Sequence, residues 1–201
     1  MQVLAIFAHP LDDSLCKRLF DEATNRLSSE GHSVTVIDLY KDGFNPVLSK
    51  DEREQYFDDE FIPEELKHYQ SELMKADTLL FCFPTWCLGP PAILKGFFDR
   101  LMKPGVSFIV LPSGDLAPNL THIKRVIALV TYGRARPILF WFGDPPRKMM
   151  TRYIKWFVSK TAKIHYLPVY NLHKPSELKI KKAIKKVRKA VALKTRPNEL
   201  T

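Results

Sequence analysis

The sequence predicts a single α/β domain built on a doubly wound parallel sheet. Three observations carry that prediction. Five short apolar segments, rich in branched and aromatic residues, alternate with segments of helical period along the 201 residues, and right-handed crossovers then place helices on both faces of a parallel sheet. With 45% hydrophobic residues the chain can bury a substantial core while staying within the usual size of one domain. No internal repeat, low-complexity tract or linker interrupts it, so residues 1–201 read as one domain.

The first strand is residues 3–8, a continuous apolar run of the kind buried on both faces. A helix follows Ser14, with Cys16, Phe20, Ala23 and Leu27 on one face and Gly31 as its C-cap. The second strand, 34–38, leads into an irregular stretch, 41–61. A helix over 63–76 opens with Glu64 and Glu65, which suit a helix N-terminus, and precedes the third strand, 78–83. Pro90 and Pro91 start the next helix, because a first-turn N–H has no partner to lose; Ile93, Leu94, Phe97 and Leu101 face inward. A second irregular stretch, 103–124, precedes the fourth strand, 125–131. Asp144 is expected to cap a helix from Pro145 with Met149, Met150, Tyr153, Ile154 and Phe157 as its buried stripe. The fifth strand, 164–170, leads to a basic C-terminal helix over about 175–193. Five such units fit the flavodoxin-like strand order 2-1-3-4-5, whereas the dinucleotide fold needs a sixth strand.

Composition narrows the function classes. The opening apolar run has no basic segment before it, unlike a secretory signal, and no apolar run is long enough to cross a bilayer; the expectation is a soluble, cytoplasmic protein. Cys16, Cys82 and Cys87 are odd in number and lack C-x-x-C spacing, which argues for reduced thiols and against a disulfide framework or zinc site. The net charge of +9 gathers at the end: between Lys174 and Arg196, Glu177 is the single acidic residue. Ile180, Ile184, Val187 and Val191 recur at helical spacing there, so the cations line a solvated face or a docking surface for an acidic partner or membrane, and nucleic acid is not expected as a partner.

In an open parallel sheet a ligand binds beyond the carboxyl ends of the strands where the order reverses, here between strands one and three. Two unusual loops fall at that point: AHPLDDSLC and PTWCLGPP. The first ends at a helix N-terminus, where unpaired amides favour an anion. His9 and Ser14 can add donors for a phosphate, or serve as turn residue and cap. It lacks the glycines of dinucleotide and Walker loops, and Asp12 and Asp13 sit awkwardly beside a phosphate. The second puts Trp86 on a proline-bounded turn across which a flat ring could lie, its amides meeting the polar edge. Thr131, Tyr132 and Gly133 follow strand four beside the same crevice.

The stretch FPTWCLGPPAILKGFFDR, with AHPLDDS and DLYKDGFNPVL, resembles the NAD(P)H:quinone oxidoreductase family with flavodoxin-like fold, including modulator-of-drug-activity reductases and potassium-efflux ancillary subunits. The resemblance covers most of the chain and weakens after Trp156. It implies a noncovalent flavin, FMN or FAD, and a homodimer with active sites at the subunit interface. It places His9, Ser14, Leu15 and Cys16 at the phosphate region, Pro84, Thr85, Trp86, Cys87 and Leu88 around the isoalloxazine, and Thr131, Tyr132 and Gly133 at its other side. The implied reaction is ping-pong, with a hydride passing from NAD(P)H through the flavin to a quinone or similar aromatic acceptor. Cys16 stands where some members have asparagine. Neither the tyrosine nor the histidine that aids proton transfer in certain quinone reductases occurs in 136–142, which leaves Tyr132 as their substitute; Phe140, Trp141 and Phe142 suggest an aromatic-lined pocket or dimer contact instead. Arg134 and Arg136 could meet a 2′-phosphate. Two alternatives to the enzyme remain: a flavin-binding regulatory subunit docking on a membrane transporter through the basic helix, and a one-electron flavodoxin-type carrier, which the positive charge disfavours.

Overall fold

The computed structural model describes residues 1–173 and 175–192. In chain order its strands are β1 (Gln2–Phe7), β2 (Ser33–Asp38), β3 (Thr78–Pro84), β4 (Phe108–Val110), β5 (Leu116–Pro118), β6 (Arg125–Thr131) and β7 (Lys163–Val169). Its helices are α1 (Leu15–Ser29), α2 (Lys50–Glu54), α3 (Lys67–Lys75), α4 (Ala92–Leu101), α5 (Arg136–Trp141), α6 (Pro145–Lys148), α7 (Ile154–Phe157) and α8 (Glu177–Val191). Five strands make one parallel sheet in the order β2-β1-β3-β6-β7, which is the predicted 2-1-3-4-5 order; β4 and β5 form a separate antiparallel hairpin.

Successive strand residues point to opposite faces, and each face of the sheet has its own core. Val3, Ala5 and Phe7 of β1 pack with Leu19, Phe20 and Leu27 of α1 and Val187 and Val191 of α8. Leu4 and Ile6 point the other way, into a core shared with Leu73 of α3, Phe97 and Leu101 of α4, and Phe157 of α7. Near-continuous apolar strands are what two-sided burial requires.

The PAILKGFFDR stretch does structural work along α4. A Cβ on Gly96 would lie 2.2 Å from the Pro46 carbonyl oxygen, so glycine is what lets the 41–49 segment lie against the helix. One turn on, the buried Arg100 donates to Glu52 Oε1, the Asn45 carbonyl and Glu65 Oε1, each at 2.7 Å. The stretch read as irregular over 41–61 thus contains α2, which Ser49 and Glu52 start with a reciprocal capping box, and it is pinned to α4 by one guanidinium.

Several expected elements differ. The helix expected from residue 63 begins as a 3₁₀ turn, Glu64–Leu66, before α3. Pro91 occupies the N-cap position of α4 rather than its first turn. Asp144 precedes α6 but has left-handed φ of 45° and makes no cap; its carboxylate accepts a hydrogen bond from the Tyr132 hydroxyl at 2.7 Å. The helix expected from Pro145 is interrupted by a π turn, Met149–Tyr153. Its extra residue rotates the stripe, so Met150 and Ile154 are buried while Tyr153 is 42% exposed. In α8 the expected apolar side packs on α1, and Arg188 reaches Glu22 there with Nη2 3.1 Å from Oε2. Lys174 and the end of the basic run, 193–196, lie outside the described residues.

Candidate functional site

Parallel register carries β1, β3 and β6 to the same edge, with Phe7 opposite Cys82 and Pro84 opposite Thr131. The two loops therefore leave the sheet side by side at the predicted switch point. Their side chains meet: the rings of His9 and Trp86 lie 5.9 Å apart, tilted by 59°. Thr85 ties the second loop to the third segment, its N–H donating to the Thr131 carbonyl at 2.8 Å and its hydroxyl at 3.2 Å. His9, Trp86 and Thr131 are thus drawn together at the switch point, by the ring contact and the Thr85 bonds.

The first loop closes on itself. Leu11 N–H donates to His9 Nδ1 at 3.0 Å, and burial pulls the imidazole below its usual pKa. In the neutral ring the proton then sits on Nε2, leaving a donor. The Ser14 hydroxyl caps α1, accepting from Lys17 N–H at 3.1 Å and donating to the Leu11 carbonyl at 2.9 Å. The hydroxyl is thereby engaged, and the amides of Leu15 and Cys16 at the start of α1 remain as anion donors. Cys16 itself is buried, its sulfur 3.6 Å from that of Cys82; from this position only its backbone can meet a ligand. Asp12 is drawn aside by Lys41 at 2.9 Å, which holds its carboxyl below the usual range.

The second loop is a tight turn. Trp86 and Gly89 exchange both backbone hydrogen bonds, at 3.0 and 2.9 Å. Between them Cys87 and Leu88 have φ of 48° and 62°, the left-handed pair of a type I′ turn normally given to glycine or asparagine. Such conformations cost about 1–2 kcal/mol each for ordinary side chains and concentrate at functional sites. Consecutive left-handed residues turn their amides outward as a concave donor set. Pro84 is buried beneath, while Trp86 and Cys87 are open to solvent.

The third segment is divided. Gly133 is exposed, whereas Tyr132 is fully buried and turned into the core. Its hydroxyl bonds Asp144 and Tyr166, and its ring packs on Tyr170 at 4.8 Å. Burial pushes its phenol far above the ordinary value. The expectation that Tyr132 serves as a proton donor in the crevice is corrected by this geometry: its hydroxyl braces the segment from behind. Phe140 and Trp141 of α5 are 81% and 80% exposed.

The chain's first residue through Ala192 is spanned by one family description: the model for the flavodoxin-like fold matches residues 1–192. The chain belongs to this family. The uncharacterized NAD(P)H oxidoreductase YcaK of Escherichia coli is 35% identical over 109 residues, 53% of this chain and 55% of that protein. The chain spans about half the length of the curated relatives it matches first, with 54% of a Haemophilus influenzae oxidoreductase. Among solved structures, Smu.1420 from Streptococcus mutans superposes with a TM-score of 0.82 at 25% identity, covering 95% of this chain and 98% of that one. An NAD(P)H:quinone oxidoreductase from Methanothermobacter marburgensis shares the fold, with a TM-score of 0.80 at 22% identity and coverage of 94% and 96%.

Proposed function

We propose that this flavodoxin-like protein is an NAD(P)H-dependent flavin oxidoreductase acting on a quinone or similar aromatic acceptor. The observation that carries the reading is the convergence of the His9 loop and the strained Trp86 turn, 5.9 Å apart ring to ring, at the switch point where this fold takes ligands. The residues fit a flavin. Leu15 and Cys16 amides at the N-terminus of α1 and the His9 Nε2 donor would hold its phosphate, and the outward amides of Cys87 and Leu88 would meet the polar edge of its ring system. Thr131 and Gly133 would bound the ring's other side. A bound flavin would supply acceptance of a hydride from NAD(P)H and its later delivery to the acceptor, in ping-pong order. The chain's own contribution is orientation of two stacked rings in turn; Trp86, half-exposed at the mouth, would exclude water from one side.

A homodimer belongs to this reading. The β4–β5 hairpin exposes Ile109, Val110, Leu111 and Leu116, and α5 exposes Trp141, an apolar surface of the kind a second copy covers. A cytoplasmic location is likewise part of the proposal. A regulatory role docking on an acidic membrane partner is favoured by one observation, the outward cations of α8 at Lys181, Lys182, Lys185 and Lys186. Because Ala183, Val187 and Val191 pack beneath them, charge reversal rather than truncation is the clean probe of docking.

The deciding experiment is to denature the purified protein and identify the nucleotide released, then to follow NAD(P)H oxidation with a quinone. FMN or FAD near one per chain, a flavin-dependent activity, and loss of retained flavin in Trp86→Ala are expected. Protein that neither carries flavin nor acquires it from FMN or FAD, and oxidises no NAD(P)H, sinks the proposal.

A further inference from the structure

Beyond the third segment, α5, α6 and the π turn border a cavity of about 470 Å³ lined by Arg136, Phe140, Asp144, Arg147, Lys148 and Arg152, among others. Four cations there face one carboxylate, and that carboxylate already accepts the Tyr132 hydroxyl. Among the described residues none of the four cations forms a salt bridge. Arg147 lies over the Tyr166 ring, 5.5 Å from its centroid, which sets its guanidinium in place. Phe140 offers an almost wholly exposed aromatic face at the same wall. Guanidinium groups without a carboxylate partner around a concave volume suit a dianionic phosphate, which they can bind through paired N–H donors, and an open ring beside them suits a purine.

The cavity is joined to the crevice through bonded residues. Trp86 is preceded by Thr85, Thr85 is bonded to Thr131, and Tyr132 is bonded to Asp144 in the cavity wall. A ligand that stacks in the crevice and trails a phosphorylated adenosine would meet these cations.

We propose that this cavity binds the 2′-phosphoadenosine end of the nicotinamide cofactor and so selects NADPH over NADH. The inference rests on the NAD(P)H reading above, but its chemistry is separately measurable. NADPH differs from NADH by the one dianionic group that the four cations are arranged to receive.

The test uses the full chain as purified and two probes, adenosine 2′,5′-bisphosphate and adenosine 5′-monophosphate, titrated calorimetrically. Tighter binding of the bisphosphate is expected, weakened roughly 10–100-fold in the exposed variants Arg136→Ala and Arg152→Glu, since charge-assisted hydrogen bonds are lost. The ratio of kcat/KM for NADPH over NADH should fall by a similar factor, through KM. Lys163→Ala with Lys189→Ala, a pair lining a separate hollow between β7 and α8, removes charge without touching the cavity and should leave both readouts unchanged; in either cavity variant a retained circular-dichroism melt excludes misfolding. Equal binding of the two probes, or selectivity untouched by both cavity variants, overturns the inference while leaving the oxidoreductase reading standing. Selective bisphosphate binding without any NAD(P)H oxidation would support the cavity and count against that reading alone.

Discussion

Replacing Arg100 by methionine should destabilise the fold severely although the residue lies outside the crevice. The arginine is 3% exposed and divides its three hydrogen bonds unequally. The Glu65 side chain is 64% exposed, so water screens that pair and its share is at most about 1 kcal/mol. Glu52 is buried and also closes the capping box of α2. Without the guanidinium a buried carboxylate loses its counter-charge, at a cost of roughly 3–5 kcal/mol; methionine keeps most of the stem's packing, so little of the loss is a cavity. With an m-value of about 2 kcal/mol/M, the urea midpoint should fall by roughly 1.5–2.5 M at pH 7. Glu52→Gln removes the stranded charge, and in that background the same Arg100→Met change should cost less than half as much. Acid provides a second check. Burial pushes the Glu52 carboxyl up, but the bonds from Arg100 and Ser49 outweigh it and hold it below its usual value. The pair's contribution is thus complete above the ordinary carboxylate range near about 4.3 and is lost as pH falls through the lower folded value. The penalty of Arg100→Met should shrink there. A midpoint within about 0.5 M of the parent, or an equal penalty in the Glu52→Gln background, would refute the reasoning.

Cys87→Gly, at an exposed position with left-handed φ of 48°, should raise the thermal midpoint of flavin-free protein by roughly 1–3 °C, because relief of that φ exceeds glycine's added unfolded-state entropy; a lower midpoint in differential scanning calorimetry would show that the turn is unstrained. Stability should also decline as pH is lowered from 7 toward 5. Burial lowers the folded pKa of His9, His32 and His165, so the unfolded chain takes up protons first, starting near its ordinary value of about 6.5. Denaturant midpoints that stay level or rise over that interval would contradict the burial of these imidazoles.

How much was legible in advance can be judged from individual residues. Trp86 and Ser14 could be placed because loop positions follow from strand order, and strand order follows from the alternation of apolar runs. The helix over 50–54 carries a legible signal too, the S-x-x-E spacing of Ser49 and Glu52, set in a polar stretch whose composition otherwise reads as loop. Arg100 left no such signal. A basic residue on a helix is ordinarily exposed, and only the fold brings Asn45, Glu52 and Glu65 to it from 55, 48 and 35 residues away.

The sequence by itself determined the layers, the five-strand order and the crevice, because hydrophobic period and chain direction are local properties that right-handed connection converts into topology. Tertiary structure alone decided which polar groups in that crevice are still available. Tyr132 is a site candidate in the sequence and Asp144, twelve residues on, a helix cap, yet the fold joins the two through one hydrogen bond. The same folding gathers Arg136, Arg147, Lys148 and Arg152 around one cavity. Hydrogen-bond partners and shared cavities depend on where separate elements end in space, and residue spacing does not encode that.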